Sequence, residues 1–320
     1  MAHRRLRTLV GLALGCALAI AIFATQDFHS ILSAASLVGS GFALVVGWRI
    51  LSLGLIALGW RRLFMAAERP PFLSVLLARW VGEAVNSLLP VAQVGGEIVR
   101  GRIIMLAGPF SLLAVVAAII VDMTLNLGGQ VALALTGAWH VWHTIGGNTL
   151  QLAATCVVAL LPLVLLALAQ HPALLERVQR GFGLLASSHR GPESLAGLSA
   201  MVGAIYGRFA DLAAATAFHG LAAFGRAFET WIVLRLMGTP VGVMDAIMIE
   251  GLAAALRTAA FVLPAGLGIQ EGALLVLCSW IGVSPAHALA LALVKRGREV
   301  AIGVSGLLLW LVLERRARTR

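Results

Sequence analysis

The sequence predicts an all-α polytopic membrane protein of about six transmembrane helices plus two re-entrant helical hairpins. The helices form inverted-topology repeats over about 37–138 and 206–313. Three observations predict this. Hydrophobic residues make up 60% of the chain and charged residues 12%, and the mean hydropathy is +0.95, which suits lipid rather than water. Apolar windows long enough to cross a bilayer recur along the chain. Two other apolar regions carry one pattern twice: Ser87-Leu88-Leu89-Pro90-Val91-Ala92-Gln93-Val94-Gly95-Gly96-Glu97 and Phe261-Val262-Leu263-Pro264-Ala265-Gly266-Leu267-Gly268-Ile269-Gln270-Glu271. Each has a proline seven residues before a glutamate with glycines between, and an ungapped shift of 174 superposes them. Proline and glycine break helices, and a carboxylate at membrane depth is costly, so the pattern points to polar sites at broken helices.

The bilayer-length windows run at about 8–25, 37–59, 109–138, 149–169, 206–236 and 286–313. The first follows His3-Arg4-Arg5-Leu6-Arg7 and superficially resembles a signal peptide, but no small-x-small cleavage site precedes a soluble domain, so it reads as a membrane helix. The regions 72–107 and 241–283 are apolar but interrupted by the Pro/Gly patterns. Each is a re-entrant hairpin or a pair of short crossings, and either returns the chain to the side it left.

Charge sets the orientation. The net charge of +10 comes from 23 arginines and one lysine, Lys295. These are scattered between apolar spans rather than grouped on a soluble face, so nucleic acid is not an expected partner. With Arg4, Arg5 and Arg7 in the cytoplasm, Arg61 and Arg62 fall inside, as do Arg177, Arg180 and Arg190 and the tail Arg315, Arg316, Arg318 and Arg320. The outer loops, roughly 26–36, 139–148, 238–243 and 282–285, hold no Lys or Arg. Both termini are therefore expected in the cytoplasm. One membrane domain, 1–320, divides into a first transmembrane helix and outer loop (1–36), repeat 1 (37–138), a connecting helix (149–169), a cytoplasmic linker (170–205), repeat 2 (206–313) and a basic cytoplasmic tail (314–320). Part of the linker is expected to lie on the membrane surface as an amphipathic helix. The two hairpins then open to opposite sides, as in transporters built from inverted repeats.

Polar residues inside the apolar segments mark the candidate site. Glu83, Asn86 and Pro90 share one helical face, and Arg79 lies close enough to Glu83 to pair. Gln93 and Gly96 belong to the first break. Glu97 and Arg100 open the arm after it, placing the carboxylate in a first turn where the helix dipole and free N–H groups favour an anion. Pro264, Gly268, Gln270 and Glu271 repeat that arrangement, and Glu250 and Arg257 lie seven apart on the preceding arm. Asp122, Asn126 and Gln130 recur every four residues, and Arg226 and Glu229 form an i, i+3 pair. Lys295, Arg296, Arg298 and Glu299 crowd into the last span, and the 174 shift sets Asp122 opposite Arg296. An isolated charge at a helix centre costs about 2.5–3.5 kcal/mol. The three cations near Glu299 must therefore be met by carboxylates such as Asp122 or Glu271, or by an anionic substrate. Arg49, Arg102, Arg208 and Arg235 read as structural ion pairs or snorkelling arginines.

Conventional chemistry is not signalled. Walker, HExxH and GxSxG motifs and Cys/His metal clusters are absent, so no cofactor and no metal are expected. Cys16, Cys156 and Cys278 read as inert apolar thiols. Trp139, His140, Trp142 and His143 read as an aromatic belt with polar tips, and His219 as a hydrogen-bonded core histidine.

The run Trp80-Val81-Gly82-Glu83-Ala84-Val85-Asn86-Ser87-Leu88-Leu89-Pro90-Val91-Ala92-Gln93-Val94-Gly95-Gly96-Glu97-Ile98-Val99-Arg100, with Val262-Leu263-Pro264-Ala265-Gly266-Leu267-Gly268-Ile269-Gln270-Glu271-Gly272, resembles the lysylphosphatidylglycerol synthase transmembrane family of flippase-like proteins. The first run looks closest to the hopanoid-biosynthesis-associated branch. The resemblance covers nearly the whole chain. It implies a non-enzymatic lipid translocase of the bacterial inner membrane, with Pro90, Gly96, Glu97, Arg100, Pro264, Gly268 and Glu271 at re-entrant turns lining a lipid path. In the best-understood members a soluble synthase domain follows, and no part of this sequence resembles it, so the lipid-modifying activity does not carry over. Expected partners are membrane lipids (a phospholipid, an aminoacyl lipid or a hopanoid) and lipid-biosynthetic enzymes. Arg100, Arg257, Arg296 and Arg298 would attract a polar or anionic head group. Glu97, Glu271 and Asp122 would balance them, bind a cationic head group or take up protons. The competing readings are an intramembrane enzyme using the carboxylates as acid and base, or a scaffold for a hopanoid or polyprenyl-lipid biosynthetic complex.

Overall fold

A computed structural model describes residues 27–89, 95–144, 146, 148–170, 192–259 and 268–318. The expected first span at 8–25, the breaks holding Pro90, Gln93 and Pro264, and the linker over 171–191 lie outside these residues. The described residues form eleven α-helices and no strand. They are α1 Phe28–Ser36, α2 Gly41–Leu63, α3 Phe72–Leu88, α4 Gly95–Ala107, α5 Leu112–Thr144, α6 Thr149–Ala169, α7 Pro192–Tyr206, α8 Phe209–Leu236, α9 Val243–Ala259, α10 Ile269–Ser279 and α11 Pro285–Arg318.

Three stretches combine the length and apolarity of a membrane span: Gly41–Leu63, Leu112–Thr144 and Leu152–Ala169. The last is only 6% buried within the bundle, as a lipid-facing helix would be. Helices α8 and α11 are also long, 28 and 34 residues, or roughly 42 and 51 Å at 1.5 Å per residue. They are less uniformly apolar because Arg226 and Glu229, and Lys295 through Glu299, sit in their middles. The arms α3, α4, α9 and α10 are 17, 13, 17 and 11 residues, each shorter than the roughly 20 needed to cross alone.

Two runs of four helices, α2–α5 and α8–α11, follow the same order of long, short, short and long. Their packing is reciprocal. Helices α2 and α8 lie against each other, α3 packs on α11, and α9 packs on α5. Each first arm thus rests on the closing helix of the other run. Indole hydrogen bonds fasten these contacts: Trp48 Nε1 donates to the Gly225 carbonyl at 2.7 Å and Trp80 Nε1 to the Ile302 carbonyl at 3.0 Å. His140 Nε2, in the expected aromatic belt, lies 3.0 Å from Asp245 Oδ1 and joins α5 to α9.

Some boundaries differ from expectation. The expected outer loop at 26–36 is largely helix α1, because Asp27 caps it by accepting from the His29 and Ser30 N–H groups at 3.1 and 3.2 Å. Its Ile31 and Ala34 are buried, and it packs on α11. The C-terminal part of the expected linker contains α7, whose Leu198, Val202 and Ile205 are buried in the core shared with α5. A stripe at i, i+4 and i+7 suits a helix neighbour as well as it suits lipid.

Where α3 meets α4, both backbones come very close. The Gly96 N–H donates to Asn86 Oδ1 at 2.8 Å, and a Cβ on Gly96 would sit 2.2 Å from the Gly82 carbonyl oxygen. Gly96→Ala is therefore expected to lower stability by about 1–3 kcal/mol through overpacking. Thermal unfolding in detergent reads this directly. Gly47→Ala, inside α2 where a Cβ meets open space, is expected to hold or slightly raise the transition.

Candidate functional site

Charged side chains from six helices, α2, α3, α4, α8, α9 and α11, converge on one cavity of about 360 Å³. That volume lies at the small end of ligand-binding clefts, about 300–1,000 Å³. Seven cations face it (Arg49, Arg79, Arg226, Arg257, Lys295, Arg296 and Arg298), and four carboxylates (Glu83, Glu97, Glu250 and Glu299). Asn126, Gln130, Thr258 and Gln270 add neutral polar groups, while Met123, Leu127 and Leu166 supply an apolar wall from α5 and α6.

Beside the cavity lies a charge cluster centred on a fully buried aspartate. Asp122 has no exposed surface and accepts from Arg79 Nη1 at 2.9 Å and Arg100 Nη1 at 2.5 Å. His219 Nε2 lies 3.0 Å from the other Asp122 oxygen. Arg100 also pairs with Glu97 and stacks on the Trp60 ring, 4.6 Å from its centroid. One carboxylate thereby joins α3, α4, α5 and α8.

Around the cavity most pairs run between helices, with Arg296–Glu299 and Arg100–Glu97 the i, i+3 exceptions. Arg49 on α2 pairs with Glu83 on α3. Lys295 Nζ on α11 donates to Glu250 Oε2 on α9 at 2.6 Å, and Thr230 Oγ1 on α8 to the same oxygen at 2.9 Å. Arg298 Nε lies 3.1 Å from Glu229 Oε1 on α8. Arg296 Nε donates to Glu271 Oε1 on α10 at 3.0 Å, and its Nη1 to Glu299 Oε2 at 2.9 Å. Glu271 does double service: its Oε2 accepts the Gly268 N–H at 2.8 Å, capping α10 where Gly268 turns with φ of +80°.

These pairings revise the sequence expectations. Arg79 pairs with Asp122 rather than with Glu83 four residues on, and Glu229 pairs with Arg298 rather than with Arg226. Of the two carboxylates expected to serve the last span, Glu271 does so and Asp122 does not. Arg102 pairs with Glu314, Arg208 donates to the Leu63 and Phe64 carbonyls, and Arg235 lies over the Trp231 ring.

A family profile described as lysylphosphatidylglycerol synthase TM region matches residues 8–311. The chain belongs to that family. No curated protein and no solved structure matches it. Membership and the apolar spans together make it a multi-pass membrane protein of a lipid-handling family.

In this lysylphosphatidylglycerol synthase TM region, Glu83, Asn86, Glu97, Asn126, Arg257, Gln270, Arg296, Arg298 and Glu299 line the cavity. Asp122, Arg100, Gly96, Gly268 and Glu271 do not line it and hold its walls, while Pro90, Gln93 and Pro264 lie outside the described residues. Arg49, Arg79, Arg226, Glu250 and Lys295 also face it and were not among the expected site residues. Their signal was present, as charges inside apolar windows, but Arg79, Arg226 and Lys295 each have an acid three or four residues on and Arg49 read as a structural or snorkelling arginine, which made local roles the simpler interpretation.

Asp122→Asn would leave two buried guanidiniums without their shared carboxylate. The expected loss is on the order of 3–5 kcal/mol, read as a lowered unfolding temperature in detergent. An unchanged transition would show that Arg79 and Arg100 are neutralised some other way.

Proposed function

We propose that the chain is a non-enzymatic lipid translocase of the bacterial inner membrane that moves a polar or anionic lipid between leaflets, with both termini in the cytoplasm. The single observation that carries this reading is a charge-lined cavity between the helices, sized for a head group and walled on one side by Met123, Leu127 and Leu166. A head group enters the cavity while the acyl chains stay in the bilayer, so the protein shields only the part of the lipid that cannot cross unaided.

The runs α2–α5 and α8–α11 act in this reading as inverted-topology repeats, their short arms forming two re-entrant hairpins. Reciprocal packing of each first arm on the other run's closing helix supports it, because rocking one run against the other would close one access and open the other. The similarity of the Trp80–Arg100 run to the hopanoid-associated branch makes hopanoid metabolism the expected setting.

Proteoliposomes with a fluorescent phospholipid in one leaflet test the function. The reconstituted chain is expected to speed leaflet exchange, and Asn126→Trp, which fills the cavity, to return it to the protein-free rate. Exchange no faster than in empty liposomes would rule out translocation of that lipid. Orientation has its own test in single-cysteine variants. His143→Cys is expected to react only from the outer face and Ala67→Cys only from the cytoplasmic face. Labelling of both from one side would overturn the inverted arrangement.

A further inference from the structure

The charges around the cavity do not cancel evenly. Each of its four carboxylates already holds a cation: Glu83 has Arg49, Glu97 has Arg100, Glu250 has Lys295, and Glu299 has Arg296. The cations are less completely matched. Glu250 Oε2 is taken by Lys295 and Thr230, and Glu250 Oε1 forms a long ion pair with Arg226 Nε at 4.0 Å, too far for a hydrogen bond and on a carboxylate shared with Lys295. Arg226 Nε and Nη2 are buried and have no hydrogen-bond partner among the described residues. Arg257, seven residues after Glu250 on α9, donates to the neutral Gln270 Oε1 at 3.1 Å, and no carboxylate among the described residues pairs with it. Both arginines face the cavity.

We infer that Arg226 and Arg257 form a phosphate subsite that selects lipids whose head group carries net negative charge. The inference rests on the lipid-translocase reading and narrows its cargo. A guanidinium presents a planar fork of donors that suits phosphate oxygens, and buried unpaired donors gain most from an anion that completes their hydrogen bonds. Every carboxylate facing the cavity already holds a cation, so an ammonium group would meet none that is uncompensated. An aminoacylated or choline head group would bring a positive charge to a wall that already has a surplus of it. The ligand class is therefore a phosphate mono- or diester without a compensating cation. Phosphatidylglycerol and phosphatidic acid belong to that class, and phosphatidylcholine and aminoacylated phosphatidylglycerol do not.

The test measures binding to the full chain in nanodiscs, with fluorescent phosphatidylglycerol, phosphatidic acid, phosphatidylcholine and lysyl-phosphatidylglycerol as probes and glycerol phosphate as competitor. The two anionic lipids are expected to bind more tightly than the other two. Arg226→Gln and Arg257→Gln are each expected to weaken the anionic lipids by about 10- to 100-fold and to leave phosphatidylcholine unchanged. If either Gln variant unfolds, Arg226→Lys and Arg257→Lys replace it; retaining charge without the fork, they should show a smaller loss confined to the anionic lipids. Equal binding of phosphatidylcholine, or loss across all four lipids in folded variants, would overturn the subsite. Glycerol phosphate competing as well as the intact lipid would overturn the lipid assignment in favour of a soluble ester. Selective binding without accelerated leaflet exchange would leave the subsite standing and reject the translocase reading.

Discussion

An ionised side chain among apolar helices must find its counter-charge on another side chain, because neither lipid nor the local backbone can supply one. That requirement ties this bundle together. Asp122 holds arginines from α3 and α4 and faces a histidine on α8, while Glu83, Glu229, Glu250 and Glu271 each hold a cation from a helix other than their own. Removing one member leaves its partner charged and buried, which is why such pairs constrain geometry more than they add stability. The helices can then pack only in arrangements that keep these partners in reach.

The same constraint leads to function. Had pairing been complete, the cavity would be a structural knot with nothing to bind. It is complete for the carboxylates and incomplete for Arg226 and Arg257, so the pairing that holds the walls together also defines what the interior lacks. Glu271 shows how closely the two roles sit: it caps α10 at Gly268 and neutralises Arg296 while staying outside the cavity lining.

Much of the helix layout was legible in the sequence. Apolar windows located α2, α5 and α6, and the Pro/Gly interruptions divided two other regions into the arms α3, α4, α9 and α10, since hydropathy and helix breaking act locally. Helix α1 was missed because an aspartate cap in a short polar stretch resembles a turn until Ile31 is seen to be buried. The site was half legible. Charges inside apolar windows marked its members, but their partners could not be read from spacing. Arg79 and Glu83 share a face of α3 yet turn to different helices, and Arg226 and Glu229 do the same from α8. Pairing at i, i+3 or i, i+4 contributes only about 0.2–0.5 kcal/mol, less than the requirement to neutralise a buried charge elsewhere.

In the proposed translocase the incompletely matched Arg226 and Arg257 set the cargo. Mass spectrometry of lipids retained by the chain after gentle extraction from its native membrane addresses it most directly. Anionic phospholipids enriched over their bulk membrane share are the predicted result, and retained lipids that are zwitterionic, cationic or present in bulk proportions would contradict it.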